Sequence, residues 1–301
     1  MLCAIIRTAA ILVAVAGSAG GLPAYGQVEF KWKLTKGQTL VIEEVVTIQQ
    51  TSTIGGRRTK TKTKQTKLFT IRVLDVVKGG DEDGSVKLEM RLDSIVAKGH
   101  GAAYSGVYKK MAGAIFQVSL DPKMQITKFE GYDALVLKVS GGNPQKTAIF
   151  RNLVSEETIK RTIKQTFSIV PHDRVKLRDT WQRSTNLSLG PLGQMAIDLT
   201  FSYAGKGRLQ GKLYDKLLLK AQAKYQLPKV KGQTLVVKKA DVEIHDYEGV
   251  VHFDTTRGRL VQTDQKTRLK GSFVVKTAQG QGPLTLVYFH SSRLRVLDPK
   301  R

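Results

Sequence analysis

Residues 55–67 read GGRRTKTKTKQTK, six positive charges in thirteen positions with threonine between the lysines. A basic arm for nucleic acid, a disordered tail and the outer face of a β-strand would all carry such a run. The residues that follow decide among them. Odd positions are Thr59, Thr61, Thr63, Gln65, Lys67, Phe69, Ile71 and Val73, while Lys60, Lys62 and Lys64 hold even ones. Side chains of a strand alternate between its faces. Without a bulge, the threonines therefore share a face with Phe69, Ile71 and Val73, and the lysines take the other. Threonine favours strands, and lysine suits a wet face or an exposed edge. Upstream, Leu40–Ile54 is rich in β-branched residues and ends at the Gly55-Gly56 turn. The run reads as the outer half of a long hairpin strand.

Lys212–Leu227 (KLYDKLLLKAQAKYQL) yields to the same template. Lys212, Lys216, Lys220 and Lys224 recur every four residues, as on a helix face. Odd positions, however, are apolar throughout except for Asp215, and strict alternation favours a strand. Further strands are predicted at 84–96, 114–120, 124–129, 181–189, 195–204, 234–245, 249–254, 259–264, 270–276 and 284–290. One segment is helical: Ser155-Glu156-Glu157 caps and charges an N-terminus, Ile159, Ile163 and Phe167 share one face, and Pro171 ends the run. A shorter helix is expected around 131–139, and Gly141-Gly142-Asn143-Pro144 forms a loop. The expectation is a mainly β (α+β) protein with long curved antiparallel sheets in two similar lobes. The lobes are 27–149 and 171–301, joined by a helix at 150–170.

The 301 residues contain 49 Lys and Arg against 25 Asp and Glu, a net charge of +24. With 41% hydrophobic residues the chain is globular rather than disordered. Its field favours polyanions and acidic surfaces. Residues 1–26 resemble a secretory signal: Arg7, a short apolar run Ala9–Ala16, then small residues with cleavage near Ala24 and Gly26. Cleavage removes the single cysteine, Cys3, which excludes disulfides, thiolate metal sites and cysteine nucleophiles from the remaining chain. No transmembrane span is expected in it. The protein is therefore placed as exported, in the periplasm, the envelope or outside the cell.

Two short patterns occur twice. Leu34-Thr35-Lys36-Gly37-Gln38-Thr39 matches Leu177-Arg178-Asp179-Thr180 in leading into a strand, with Thr39 and Thr180 in register. Asp121 and Asp254 each follow a strand and start a turn. The string KGQTLV at 36–41 also recurs at 231–236 but aligns poorly on either side. Together, the signal segment, Lys36-Gly37-Gln38, Asp179-Thr180-Trp181 and the Phe253-Asp254 hairpin resemble an uncharacterised family of exported bacterial proteins of unknown function. Long strands wrapping a helix are similar to the half-barrel lipoprotein carriers of the bacterial envelope. That resemblance implies a concave face able to shelter an apolar chain; fold alone does not carry function.

Catalytic signatures are missing. There is no nucleophile elbow, P-loop or dinucleotide fingerprint, and no cofactor is expected. Asp81-Glu82-Asp83-Gly84 opens like a calcium loop but has Leu92 where a bidentate Glu is required. The densest polar cluster is His245, Asp246, Glu248, His252 and Asp254, where a turn near Glu248-Gly249 would set the histidines across a hairpin. It carries a minor hydrolase or metal hypothesis. Trp32 and Trp181 are assigned to packing.

The candidate polyanion contacts are Arg57, Arg58, Lys60, Lys62 and Lys64 on one strand and Lys212, Lys216, Lys220 and Lys224 on another. Acidic lipid or polysaccharide of the envelope suits them. Nucleic acid does not, because only Tyr214 and Tyr225 lie near for stacking. The expected function is non-enzymatic binding or scaffolding in the envelope, with an apolar or lipid ligand; the alternative is a polyanion-binding surface protein.

Overall fold

A computed structural model describes residues 26–77, 85–189, 192–228, 235–277 and 280–297. Residues 1–25, the acidic stretch 81–84 and most of the second KGQTLV string lie outside them. The chain forms one antiparallel sheet of eleven strands. Its first wing holds β1 (Thr39–Ile54), β2 (Arg57–Val76), β3 (Val86–Gly99), β4 (Ala114–Leu120) and β5 (Ile126–Glu130). Its second wing holds β6 (Thr180–Ser188), β7 (Gln194–Leu209), β8 (Lys212–Gln226), β9 (Val236–Asp254), β10 (Arg259–Thr277) and β11 (Gly280–Leu297). The spatial order β5-β4-β3-β2-β1-β11-β10-β9-β8-β7-β6 puts β1 and β11 in the middle and β5 and β6 at the edges. The two expected lobes are thus the wings of a single curved, unclosed sheet.

The opening stretch behaves as its alternation requires. β2 pairs with β1 from Thr39↔Arg72 to Ile54↔Arg57 without a register shift. Ile71 and Val73 are buried, Lys60, Lys62 and Lys64 exposed. The Gly55-Gly56 turn has φ of 52° and 79°, a backbone that residues with a Cβ rarely adopt. Arg57 is the exception in its row: it stands opposite Ile54 and shares the inner face with the threonines. In β8 the row is also outward, and Leu217 and Leu219 are buried.

Between the wings run α1 (Ser105–Met111), α2 (Tyr132–Ser140), α3 (Pro144–Leu153) and α4 (Glu156–Phe167), after a 3-10 turn at His100–Tyr104. The segment read as one helix at 150–170 is the end of α3, a break at Val154-Ser155, and α4. Ser155 is the break's cause: its hydroxyl accepts from the Thr158 amide at 3.2 Å and caps α4. α4 lies across the inner face, with Ile163 and Phe167 buried against Ile42 and Ile71. Removing the Phe167 ring would cost about 3–5 kcal/mol.

Both wings start with the same turn. Gly37 (φ 82°) and Arg178 (φ 75°) take the left-handed position. Gln38 and Asp179 each bond back to the residue three before, through the amide and through the side chain. The turns then dock on β2 and β7 by equivalent backbone pairs, to Val73 and to Tyr203. Val28 and Val175, just upstream, exchange hydrogen bonds at 2.8 and 2.9 Å. Asp121 and Asp254 each accept a backbone amide within their turns.

Two expectations about the second wing are corrected. The segments 234–245 and 249–254 are one strand, β9, and 259–264 and 270–276 are one strand, β10. Gly249 is a point of close approach rather than a turn, since a Cβ there would meet the Leu219 side chain at 2.9 Å.

Candidate functional site

The structure first separates the residues that looked like a cluster. β9 passes straight through Glu248-Gly249, so His245 and His252 lie seven residues apart along one strand, about 23 Å. His245 is exposed at a bulge. His252 is buried, and its Nδ1 has no hydrogen-bond partner among the described residues. Burial, and secondarily Lys216, lowers its pKa against the opposing pull of Asp264. No group of three metal-ligating side chains occurs among the described residues. The candidate hydrolase or metal constellation is not assembled.

Asp215, the one break in the apolar face of β8, is 1% exposed and satisfied three ways. It accepts from the Tyr203 hydroxyl at 2.8 Å, Lys206 Nζ at 2.7 Å and Thr255 Oγ1 at 2.6 Å. A β7 bulge between Tyr203 and Lys206 brings the ammonium round to the carboxylate. The group is a structural tie between β7, β8 and the β9–β10 turn.

The principal cavity is a cleft of about 680 Å³ between α4, the edge strand β5 and the second wing. Its wall is apolar where Phe129, Leu199, Phe201 and Tyr247 meet it, and its rim is basic, with Lys160, Arg161, Lys164 and Arg183. Lys160 is engaged by Glu156 at 2.6 Å, which raises its pKa. Arg161 donates to the Asn186 carbonyl at 3.0 Å, and neither it nor Lys164 has a carboxylate within ion-pair distance among the described residues.

Arg183 is the best-fixed of these cations. β6 is the sheet edge, and alternation from Trp181 turns Arg183 inward toward the end of α4. Helix C-termini leave carbonyls without partners, and here side chains from outside the helix bond to the last carbonyl of α4 and to those of the turn that follows it. Trp32 Nε1 donates to the Phe167 carbonyl at 3.0 Å, Trp181 Nε1 to Ile169 at 3.2 Å, and Arg183 to Ser168 and Val170 at 3.0 and 2.9 Å. A cation at this end of a helix also complements its dipole. Burial lowers the Arg183 pKa, yet among the described residues no carboxylate compensates its charge. The two tryptophans are packing residues as expected: Trp181 stacks on Phe201 with ring centroids 5.6 Å apart, and Trp32 meets Phe167 at 5.0 Å.

Tyr247 and Tyr288 stand on the inner face, half-buried, and burial pushes both hydroxyls up to about 12. His290, stacked beside Tyr288, is lowered by burial and by Lys67, against the attraction of Glu44. Sequence reading missed this inner polar row and Arg183. Alternation could have placed Arg183 inward with Trp181, but only the folded chain shows the carbonyls it meets.

The anticipated basic rows are on the outer face. Lys60, Lys62 and Lys64, with Arg58, point away from the core, and no ion pair forms on them among the described residues. Lys212, Lys220 and Lys224 are exposed on β8, and Lys216 is half-buried opposite His252. Five strand steps separate the rows, about 24 Å, so they do not form one surface strip.

The model of a "Family of unknown function (DUF6263)" matches residues 84–210, from β3 through β7. The match spans Asp179-Thr180-Trp181 but neither Lys36-Gly37-Gln38 nor Phe253-Asp254. No curated protein matches the chain. Among solved structures, DynF from the dynemicin biosynthesis pathway of Micromonospora chersina is 10% identical, covering 96% of this chain and 94% of its own, with a TM-score of 0.21. A DUF1329 family protein from Desulfovibrio piger is 12% identical, with 88% of each chain covered and a TM-score of 0.13. A putative outer membrane lipoprotein-sorting protein domain from Vibrio parahaemolyticus is 10% identical, covering 85% and 83%, with a TM-score of 0.16. Likeness at this level assigns no activity to the chain.

Proposed function

We propose that the protein is a non-catalytic binding protein of the bacterial envelope whose inner cleft holds an amphiphilic anion. The observation that carries this reading is Arg183, half-buried at the cleft rim with no carboxylate to balance its charge among the described residues. A half-buried cation with carbonyl partners but no counter-charge is costly, and an acidic head group would relieve that cost. Arg161 and Lys164 flank it, and the wall of Phe129, Phe201 and Tyr247 offers apolar area for a lipid chain. Ion-paired hydrogen bonds to a guanidinium are the strong ones, and they fix head-group orientation. Export rests on residues 1–26. No helix among the described residues is long and apolar enough to cross a membrane.

Native mass spectrometry of protein purified from its own envelope is expected to show a co-purified anionic lipid. In solution, palmitate should bind at least about tenfold more tightly than methyl palmitate, a difference of ~1.4 kcal/mol. Arg183→Gln should erase that preference. Equal binding of acid and ester, or an unchanged Arg183→Gln protein, overturns the reading.

A further inference from the structure

The outer face holds a second feature, independent of the inner cleft. Register lines across the middle of the sheet join outward residues of four strands. Lys64 is followed by Thr47, Ser291 and Lys266; Lys62 by Gln49, Phe289 and Arg268; Lys60 by Thr51, Val287 and Lys270. Two basic banks, on β2 and β10, thus flank a lane floored by β1 and β11. The banks lie three strand steps apart, about 14 Å. At one end the lane deepens into a groove of about 540 Å³, with Thr47 and Ser291 along it and Lys64 and Lys266 on opposite sides.

The banks are not equivalent. Lys60, Lys62 and Lys64 face only Thr51, Gln49 and Thr47 on β1, and Lys64 stands opposite a further cation, Lys98. On the far side, Glu243, Asp246 and Glu248 of β9 stand opposite Lys270, Arg268 and Lys266. Within the groove, Asp264 binds Arg293 at 2.6 Å, and Glu43 holds Arg295. One bank therefore attracts anions, while the other presents balanced charge and many hydrogen-bonding groups.

We infer that this lane binds a linear acidic polysaccharide. Its carboxylate or sulfate groups would track the β2 lysines, whose spacing along the strand is about 6–7 Å. Its hydroxyls would meet the threonine, serine and glutamine floor and the carboxylates beyond it. A nucleic-acid strand fits poorly, because Phe289 is the one aromatic side chain of the lane and successive bases have nothing else to stack on. A bilayer fits poorly because the groove is concave.

The test uses fluorescence anisotropy with three probes on the whole protein: a polygalacturonate oligomer, a single-stranded oligothymidylate of matched charge, and vesicles of phosphatidylglycerol. The acidic glycan should bind most tightly and weaken as salt rises. Lys60→Ser/Lys62→Ser/Lys64→Ser should reduce its affinity at least tenfold. The same change at Lys212, Lys216 and Lys220 should alter it less than twofold. Thr47→Val/Thr51→Val, which keeps every charge, should reduce it about threefold and so separates floor contacts from general attraction. Tighter binding of the oligothymidylate or the vesicles, equal losses from the two lysine triples, or no glycan binding overturns the inference. Palmitate binding by each lysine triple should remain unchanged, which keeps this outcome distinct from that of the inner cleft.

Discussion

The lysine rows of β2 and β8 look alike in the sequence and differ in what stands beside them. Along β8, Lys220 has Glu248 opposite and Lys216 has His252, and on the inner face the buried Asp215 ties the strand to Lys206. Along β2, the neighbours on β1 are neutral, and the nearest outward residue on β3 is Lys98. From Arg57 to Lys62, β2 has no β3 partner at all, so it is also a local edge. An unpaired edge invites another strand, and lysine is a common guard against it. The meaning of a charge row is set by the neighbouring strand, which the row itself does not encode.

The largest test of this contrast is Asp215→Ala. It removes the acceptor that the Tyr203 and Thr255 hydroxyls share and the anion that Lys206 serves, so urea unfolding should show a loss of about 3 kcal/mol. No single replacement in the outer β2 row should approach that. Acidification comes next. His252 and His290 both have lowered pKa values in the folded state, chiefly through burial. The unfolded chain takes up their protons near pH 6.5 while the folded chain resists. Their contribution is therefore fully present above about pH 6.5 and lost as pH falls through the folded values. Stability should drop as pH falls below about 6.5, and His252→Gln should flatten part of that slope.

Smaller effects discriminate the rows directly. Lys64→Glu sets a carboxylate opposite Lys98 and should stabilise by ~0.5 kcal/mol, whereas Lys220→Glu sets one opposite Glu248 and should destabilise by a similar amount. Chemical denaturation of the pair at low salt reads both, and the difference should shrink as salt rises. Lys60→Ser should change stability by less than about 0.5 kcal/mol.

Local signals carried much of the architecture. Thr59 to Val73 declared the two faces of β2, Ser155 the start of α4, and the Thr35–Gln38 turn the entry to β1, because each is settled by residues a few positions apart. Gly249 misled for a physical reason. It sits inside a strand because Leu219 occupies the space a Cβ would need, and sequence alone does not distinguish such a glycine from a turn. The cleft was hidden more deeply. Arg183 looks like an ordinary polar strand residue until α4 is laid across the sheet and the Ser168 and Val170 carbonyls, just past its end, arrive beside the guanidinium. The Arg57 placement was within reach of parity counting alone: it is odd, as are the threonines.

The join at the centre of the sheet has a consequence for how the molecule forms. Glu43 and Arg295, which meet across it, are 252 positions apart. Every other neighbouring pair of strands is consecutive in the chain, so each wing can zip up as a meander while the seam waits for nearly the whole polypeptide. Closing so distant a contact is slow. Until then β1 and β11 each offer a raw strand border, and a chain whose last strand is delayed will seek that border on another copy of itself.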